Sequence, residues 1–386
     1  MDKITVSGNT GNFIKNGNSW IYGKNILNKV KGNNVRDVRI YDEKNVLLGS
    51  GLYNPDALIK VRILNFGKDE VEFNYDFFKD KVEKAYKFRK KIYGEKSSYR
   101  LIFSEGDLFS GLICDVYNKG VVTLLGSKGL ENHREKIYKA IDEVIKPDFI
   151  YEKENDSPEK VNSKGLIKGE IPADFKIEEN GISYIVDVVN GQKTGFFLDQ
   201  YLNRKNMELY SENSKVLDVF CNSGGFGLNA LKYGASHVSF LDSSQEALDG
   251  VKQNLLLNKV KQEKFDIIKS DAFSYMEKND GKYDLIILDP PAFTKSSKNI
   301  SKATSAYQFL NIKALSMLNE GGILATFSCS QNITEDIFRA VVKNSCFKAH
   351  GIYSILSPAL QSYDHPVIPS QNETHYLKGF FIRKLG

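Results

Sequence analysis

The amino-acid sequence predicts an α/β protein whose C-terminal half is a doubly wound, mostly parallel sheet. Its 386 residues are too many for one compact core, which indicates two or three domains. From residue 182 onward, strand-like apolar runs alternate with helical patterns, as in a parallel sheet with crossover helices. Before that point the apolar runs are shorter and are separated by turn residues, which indicates smaller modules.

Residues 1–72 predict a small β-rich domain, because DVRIYDEKNVLLGSGLYN and ALIKVRILNF contain short apolar runs punctuated by Gly and Asn. Residues 73–180 predict an α+β domain. Its expected elements are a helix at about 76–93, strands at SYRLIFSEGD, GLICDVY and VVTLLGS, a helix at about 130–145 and a strand at DFIYEKE. The Lys-, Ser- and Glu-rich segment 153–170 predicts an exposed loop.

Residues 181–386 predict the largest domain. Strands are expected at KVLDVFC, HVSFLD, FDIIKSD, YDLIILDPP and GGILATFSCS. Helices are expected at GFGLNALKYG, at 244–257 and at 303–318, the second of them opening with a capping box from Ser243 to Glu246. Ligands of such a sheet bind beyond the carboxyl ends of its strands, so the residues that end each strand are the candidates for a site.

Composition excludes several classes of protein. Charged residues make up 26% and hydrophobic residues 41%, as in ordinary globular proteins. No segment is apolar enough to span a membrane, and the N-terminus lacks a signal-peptide core, so a cytoplasmic protein is expected. Four widely spaced cysteines, at positions 114, 221, 329 and 346, indicate a reducing compartment. No HExxH or His/Cys cluster suggests a metal site.

A basic stretch, KAYKFRKK at 84–91, lies on the first predicted helix. It contains five cations and no acid, although the net charge of the whole chain is only +5. Two interpretations stay open, a solvated helix face and a surface that contacts phosphates. The five cations are Lys84, Lys87, Arg89, Lys90 and Lys91.

The first strand of the large domain runs into a glycine-rich loop, DVFCNSGGFG. Gly224, Gly225 and Gly227 allow the backbone to approach a ligand closely. Gly225-x-Gly227-x-x-Ala230 also fits a dinucleotide fingerprint, so a nicotinamide enzyme is one alternative and a purely structural turn is another.

Acidic residues end the second and third strands. Asp242 is placed to accept both ribose hydroxyls of an adenosine ligand, unless it serves only as an acid favoured by a helix dipole. Asp271, in KSDAF, is placed near an adenine amino group. Acids that end consecutive strands beside a glycine loop favour an adenosine site.

The fourth and fifth strands end in LDPPAF and FSCS. Two prolines stop the fourth strand, so Asp289 faces a ligand rather than another strand. Cys329 ends the neighbouring strand on the same side of the sheet. A structural Pro-Pro turn and a buried strand-end cysteine are the alternatives.

Together these segments resemble the class I S-adenosylmethionine-dependent methyltransferases, and more closely the bacterial large-subunit ribosomal RNA cytosine-5 methyltransferases of the RlmI type. The resemblance covers nearly the whole chain. It is carried by GQKTGFFLDQ with Asn203 and Arg204, and by the segments DVFCNSGGFG, DSSQEAL, NLLLN, LDPPAF, GGILATFSCS, DHPV and YLKGF. It implies a Rossmann-like methyltransferase domain with a mostly parallel seven-stranded sheet, preceded by a PUA domain and an α+β middle domain.

The resemblance implies S-adenosyl-L-methionine as cofactor, large-subunit ribosomal RNA as partner and no membrane, and it leaves a homodimer open. Cys329 would be the nucleophile and Asp289 the acid that holds the cytosine ring. The cofactor would contact Gln192, Lys193, Phe196, Asp199, Asp218, Phe220, Asn222, Ser223, Gly224, Gly225, Asp242, Ser243, Asp271, Ala272 and Asp289. The RNA would contact Pro290, Pro291, Phe293, Lys84, Lys87, Arg89, Lys90 and Lys91.

Three positions depart from the family pattern. Ser19 replaces a proline in the PUA segment SWIYGKNI, Tyr201 replaces an arginine after LDQ, and Lys153 replaces an arginine of the middle domain. The latter two cannot provide the paired hydrogen bonds of a guanidinium fork.

Three other functions are alternatives to cytosine-5 methylation. A related RNA guanine-N7 or amino-group methyltransferase would need no thiol, and the residue directly after the two prolines is Ala292 rather than an aromatic. A nicotinamide-dependent oxidoreductase would leave LDPPAF and FSCS without a role. An RNA-binding protein without activity would have no need of an intact site.

Overall fold

The computed structural model describes residues 1–155, 158–294 and 296–386, and the described chain forms two compact units. Unit 1 comprises 1–177, 186–198 and 363–374. Unit 2 comprises 178–185, 199–362 and 375–386. The sequence-based boundaries at residues 72 and 180 stay a prediction. None of the described helices is both long enough and apolar enough to cross a bilayer.

The N-terminal part of unit 1 is β-rich, as predicted. Its sheet has the order β1-β3-β4-β5-β2 and carries a core of aliphatic side chains such as Ile40 and Val61. Helix α1 was not predicted from sequence; its first turn is capped by the Ser7 hydroxyl, which accepts the Thr10 N–H. The elements are β1 (Asp2–Thr5), α1 (Gly8–Lys15), β2 (Trp20–Tyr22), β3 (Arg36–Tyr41), β4 (Leu47–Tyr53) and β5 (Ile59–Phe66).

The rest of unit 1 contains a second five-stranded sheet, ordered β10-β9-β8-β7-β6. Two helices pack their apolar faces against this sheet and share a hydrophobic core with it. The predicted α+β pattern is confirmed here. The elements are α2 (Tyr75–Tyr93), β6 (Ser98–Phe103), β7 (Leu112–Tyr117), β8 (Gly120–Leu125), α3 (Arg134–Ile145), β9 (Phe149–Glu152) and β10 (Gly165–Lys168).

Strand β10 corrects the expectation of a loop throughout 153–170. It pairs antiparallel with β9 at the edge of the sheet, and its residues alternate between half-exposed and exposed. Because such an edge strand needs few apolar residues, its composition resembles that of a loop. Asp156 and Ser157 of this segment lie outside the described residues.

Unit 2 contains a seven-stranded sheet ordered β15-β14-β13-β16-β17-β19-β18. Six of these strands run in the same direction, and β19 runs antiparallel to both of its neighbours, so the predicted mostly parallel sheet is confirmed. A short sheet of β11 and β12 precedes it in the chain. The elements are β11 (Lys176–Glu179), β12 (Ile182–Ile185), α4 (Tyr201–Lys205), β13 (Lys215–Val219), α5 (Gly225–Lys232), β14 (His237–Asp242), α6 (Gln245–Leu257), β15 (Phe265–Lys269), α7 (Ala272–Lys278), β16 (Tyr283–Leu288), α8 (Ile300–Met317), β17 (Leu318–Ser328), α9 (Glu335–Lys348), β18 (Tyr353–Leu360) and β19 (Lys378–Lys384).

The strand order reverses at β13, since the chain proceeds from β13 to β14 and β15 on one side and then to β16 and β17 on the other. A crevice beyond the carboxyl ends of the strands is expected at such a switch point. The register places Val219 level with both Leu241 and Leu288, and Leu288 level with Thr326. The loops that follow β13, β14, β16 and β17 therefore start from one edge of the sheet.

The capping box predicted from Ser243 is wrong by one residue. Ser244 is the cap of α6, because its hydroxyl accepts the N–H of Ala247 at 3.2 Å. The side chain of Ser243 is exposed beside it. Two adjacent serines offer the same chemistry, so spacing alone did not distinguish them.

Candidate active site

The loop after β13 has a strained backbone. Phe220 adopts φ of 62°, in the left-handed region that bulky residues rarely occupy, whereas Asn222 at 48° and Gly224 at 83° are residue types that adopt this region readily. Strain of this kind is concentrated at functional sites. Gly227 has a different role: a Cβ there would lie 2.2 Å from the Phe240 ring, so this glycine allows α5 to pack on β14.

Three carboxyl groups at the carboxyl ends of β13, β14 and β16 interact electrostatically. Asp218 is buried and accepts the N–H of Gly227 at 2.8 Å, which ties the loop to its strand. Burial raises the pKa of Asp218 to about 7, and the charges of Asp289 and Asp242 add to that rise. Asp242 accepts the N–H groups of Asn222 and Ser244, at 3.0 and 2.9 Å.

Asp271 caps helix α7, because its carboxylate accepts the N–H of Ser274 at 2.9 Å. Ala272, the first residue of that helix, is buried. The contacts of both residues with an adenine ring stay predictions.

Asp289 is held by a hydrogen-bonded chain that sequence reasoning missed. The Gln200 carboxamide donates to Asp289 Oδ1 at 3.0 Å, and the Asn203 carboxamide donates to Gln200 Oε1 at 2.6 Å and to the carbonyl of Leu360 at 3.1 Å. Gln200 and Asn203 are almost completely buried. The segment LDQ with Asn203 carried the family resemblance, but nothing in its spacing indicated that these amides orient a carboxylate more than eighty residues away.

Cys329 lies beside the carbonyl of Pro290, with 3.8 Å between its Sγ and that oxygen. The serines on either side of it are fully buried: Ser328 donates to the Tyr307 hydroxyl at 3.0 Å, and Ser330 Oγ lies 3.1 Å from the same oxygen. Cys329 itself is half-buried. The flanking serines therefore fix the backbone while leaving the thiol accessible.

Burial raises the thiol pKa of each of the other three cysteines. Burial raises the pKa of Cys114 and of Cys221 well above the ordinary thiol value, and both side chains are inaccessible. Burial raises the pKa of Cys346 on α9 to about 11. All three are poor candidates for a nucleophile, since the thiolate is the reactive form.

The segment after Asp289 positions an aromatic ring. Phe293 is half-buried, with its ring centroid 4.7 Å from that of Tyr307 and 6.4 Å from that of Phe220. Pro290 is buried, whereas Pro291 and Ala292 are exposed. The exposed side of this turn is thus a proline and an alanine.

The predicted cofactor residues before β13 fall in different units. Asp199, in unit 2, is buried and accepts the Tyr376 hydroxyl at 2.5 Å. Gln192, Lys193 and Phe196 belong to unit 1, where the first two are exposed and Phe196 is buried. The cofactor contacts of these four residues stay predictions.

One residue of the basic stretch on α2 was wrongly assigned to phosphate contacts. Arg89 is buried, forms two hydrogen bonds to the Asp107 carboxylate at 2.5 and 2.6 Å, and donates to the Arg100 carbonyl at 2.9 Å. It is committed to the interior because its spacing from Val82 and Ala85 puts it on the buried face of the helix.

The lysines of the same stretch lie outward. Lys84, Lys87 and Lys91 are exposed, and Lys90 is half-buried. Lys84 pairs with Asp80 and Lys87 with Glu83, each one helical turn earlier. Such exposed pairs are weak, so the ammonium groups can exchange these partners for phosphates.

Two of the departures from the family pattern have local explanations in unit 1. Ser19 is buried, and both its N–H and its hydroxyl donate to Gln371 Oε1 at 2.9 Å, whereas a proline has no N–H to donate. Lys153 donates to the carbonyl of Gly191.

The chemistry of the site fits a cationic cofactor without phosphate. S-adenosylmethionine carries a positive sulfonium and a positive ammonium group, and the cluster of Asp218, Asp242 and Asp289 supplies the opposite charge. The pyrophosphate of a dinucleotide would add negative charge beside carboxyl groups that already repel one another. The strained loop between Asp218 and Asp242 is therefore suited to an adenosylmethionine rather than to a nicotinamide cofactor.

A sheet of this order, with a strained glycine loop after its central strand and carboxylates at its switch point, defines a class I S-adenosylmethionine-dependent methyltransferase. A family model described as S-adenosylmethionine-dependent methyltransferase matches residues 157–353, and a PUA-like domain model matches residues 4–66. The chain belongs to the family of ribosomal RNA large subunit methyltransferase I, and its cofactor is S-adenosyl-L-methionine.

Family membership rests on curated relatives. The chain is 36% identical over 380 residues to ribosomal RNA large subunit methyltransferase I of Tolumonas auensis, covering 95% of each chain. It is 35% identical over 357 residues to the protein of that name from Escherichia coli O139:H28, covering 90% of each. A solved structure from Streptococcus mutans, provisionally assigned as an S-adenosylmethionine-dependent methyltransferase, covers 99% of this chain at a TM-score of 0.85 and 24% identity, and shows the shared fold.

Proposed function

We propose that this methyltransferase modifies C5 of a cytosine in large-subunit ribosomal RNA through a temporary covalent bond to Cys329. The observation that carries the proposal is the position of Cys329, a half-buried thiol 3.8 Å from the carbonyl of the residue that follows Asp289. The names of the curated relatives support ribosomal RNA as the substrate.

We propose that the cofactor is held by Asp218, Asp242 and the loop between them. Backbone contacts would come from Phe220, Asn222, Ser223, Gly224 and Gly225. Ser243, Asp271 and Ala272 are proposed for the adenosine end. Bound S-adenosylmethionine supplies an electrophilic methyl group on a sulfonium sulfur.

Cys329 activates the cytosine ring, because C5 of cytosine is a poor nucleophile. The thiolate adds to C6, forming a C6–S bond, and the C5–C6 π electrons become available for bond formation at C5. C5 would take the methyl carbon as its bond to the sulfonium sulfur breaks and leaves the electron pair on sulfur. The C5 proton would then be lost to a base, and the electrons of that C–H bond would restore the double bond. The C6–S bond then breaks, and the thiolate is regenerated.

Asp289 holds the polar edge of the base during these steps. When it carries a proton, its carboxyl group donates to N3 and accepts from the exocyclic amino group, so that negative charge developing at N3 on thiol addition is neutralised. The hydrogen bond from Gln200 fixes the carboxyl group for this role. Pro291 and Phe293 are proposed to flank the base.

The RNA-binding contribution of unit 1 comes from Lys84, Lys87, Lys90 and Lys91 and from the PUA-like domain. These lysines contact phosphates, which position RNA without reading its sequence. A cytosine within paired RNA must be flipped out at a cost of a few kcal/mol, so a loop or single-stranded site is favoured.

Methylation of guanine N7 or of an amino group is the second candidate. The position of the aromatic residue argues against it, because the residue directly after the two prolines is the exposed Ala292 and Phe293 comes one residue later. That chemistry would also leave an accessible Cys329 unused.

The proposal is tested with tritiated S-adenosylmethionine and protein-free large-subunit ribosomal RNA. The wild-type chain labels the RNA, and Cys329→Ala abolishes labelling while cofactor binding survives. Bisulfite sequencing of RNA from a deletion strain then locates the base. Full activity of Cys329→Ala would exclude the covalent route.

A further inference from the structure

Lys378 carries a buried ammonium group next to the segment that holds Cys329. It is the first residue of β19, where it pairs in register with Ser328, and only 2% of its surface is exposed. Its Nζ donates to the carbonyl of Ser330 at 2.7 Å. Buried lysines are rare because an ammonium loses its hydration, so this placement calls for a compensating interaction.

Within the described part of the chain, no carboxylate lies within ion-pair distance of this ammonium group. Burial lowers the pKa of Lys378 to about 8, and the charges of Cys329 and Glu335 oppose that lowering. Electrostatic coupling is reciprocal, so an ammonium group favoured by the Cys329 thiolate must favour that thiolate equally.

We propose that Lys378 is a positioning residue for catalysis, whose ammonium charge holds Cys329 in the thiolate form. This inference rests on the proposed covalent function of Cys329. The sequence pattern pointed only to residues at the carboxyl ends of strands. Because β19 runs antiparallel to β17, its amino end, with Lys378, lies at the sheet edge where β17 ends before Cys329.

The charged groups around Cys329 support this role of Lys378. Among the described residues, the charged or titratable groups that face this segment include Asp289 after β16, Tyr307 on α8, Glu335 at the start of α9, and Lys378. Asp289 and Glu335 oppose a thiolate. Burial raises the pKa of Tyr307 to about 12, so its hydroxyl is neutral and serves to hold the two serines. Lys378 supplies a positive charge among these groups.

The test measures the pH dependence of Cys329 alkylation by iodoacetamide in the full-length chain without RNA or cofactor, read by mass spectrometry of the peptide that contains Cys329. The midpoint of this dependence is the pH at which the alkylation rate is half its maximum. We expect Lys378→Met to raise this midpoint by about one pH unit, which makes alkylation at pH 7 about tenfold slower. Lys378→Arg keeps the charge and should keep a midpoint near that of the wild type.

Lys384 supplies a matched control on the same strand. It is half-buried and donates to the carbonyl of Leu318 at 3.0 Å, but it lies six residues away, about 20 Å along β19. Lys384→Met should leave the midpoint unchanged. Cys346, on α9, provides an internal reference in every sample.

An unchanged midpoint in Lys378→Met, or an equal shift in Lys384→Met, would overturn the proposal. If Lys378→Met does not fold, Lys378→Gln is used, since its carboxamide retains a donor without the charge, and the same criterion applies. Alkylation needs no RNA, so the two proposals can fail separately. If the midpoint shifts but the enzyme does not methylate cytosine C5, only the proposed function is refuted. If the enzyme methylates C5 but the midpoint does not shift, only the role of Lys378 is refuted.

Discussion

The carboxamide nitrogen of Gln200 lies 3.0 Å from a carboxylate oxygen of Asp289, and both groups belong to unit 2. The amide is itself held by Asn203, so the carboxylate is fixed through two buried residues. The segment LDQ, residues 198–200, thus positions Asp289 through Gln200. Asp289 is the acid that we propose contacts the base.

Replacing Gln200 by Met removes the donor while conserving volume. We expect kcat for methyl transfer to fall by about a hundredfold, because Asp289 loses its fixed orientation. The dissociation constant for the cofactor, measured by calorimetry, should stay close to the wild-type value. A variant with wild-type kcat would show that Asp289 needs no such donor.

The raised pKa of Asp218 predicts a pH-dependent preference between cofactor and product. Ionisation of Asp218 near pH 7 adds a negative charge that favours a sulfonium cation. The affinity for S-adenosylmethionine, relative to neutral-sulfur S-adenosylhomocysteine, should therefore rise between about pH 6 and pH 8. Calorimetric titrations across this range test the point, and Asp218→Asn, which still accepts the Gly227 N–H, should abolish the rise.

The same residue affects stability. In the unfolded chain Asp218 ionises at its ordinary pKa, whereas in the folded chain it keeps its proton to about pH 7. The ligand-free protein thus loses unfolding free energy as pH rises from about 4 to 7, by an amount on the order of a few kcal/mol. Denaturant titrations should show this loss in the wild type and a smaller loss in Asp218→Asn.

Arg204 and Glu179 form a buried ion pair in unit 2, with two hydrogen bonds of 2.6 and 3.0 Å. Arg204→Met should destabilise the protein by about 3–5 kcal/mol, because it leaves an uncompensated carboxylate in the interior. The double variant Arg204→Met/Glu179→Leu should recover most of that loss in denaturant unfolding. A double variant as unstable as the single one would mean that the geometry of the pair, and not charge burial, is what matters.

The exposed lysines of α2 should contribute to RNA affinity. The triple variant Lys84→Gln/Lys87→Gln/Lys91→Gln should bind ribosomal RNA more weakly. Its slope of log affinity against log salt should be shallower by about 0.7 for each phosphate that the variant no longer neutralises. The control removes three exposed lysines of unit 2: Lys252, Lys259 and Lys261. Equal weakening by both triple variants would indicate a net-charge effect.

Much of the fold followed from sequence because the strands of unit 2 are apolar runs that end at turn residues. The placement of Asp289 and Cys329 after adjacent parallel strands was predicted from that pattern and is confirmed by the register. The same reasoning failed for Arg89, because a cation on a buried helix face cannot be distinguished from an exposed one without its partner Asp107.

The interactions of Gln200 with Asp289 and of Lys378 with the Cys329 segment could not be predicted in the same way. Gln200 and Lys378 are each far from their partners in sequence, and their roles depend on burial, which is a property of the assembled fold. A lysine in YLKGF is ordinary on a surface. Only its position opposite Ser328 in the sheet relates it to the cysteine.

The most direct test of cytosine-5 transfer uses ribosomal RNA that carries tritium at C5 of its cytosines. Methylation at C5 replaces that hydrogen, so the account predicts one tritium released into water for each methyl group transferred, and none with Cys329→Ala. Methyl transfer without tritium release would contradict it, because the methyl group would then have gone to a nitrogen.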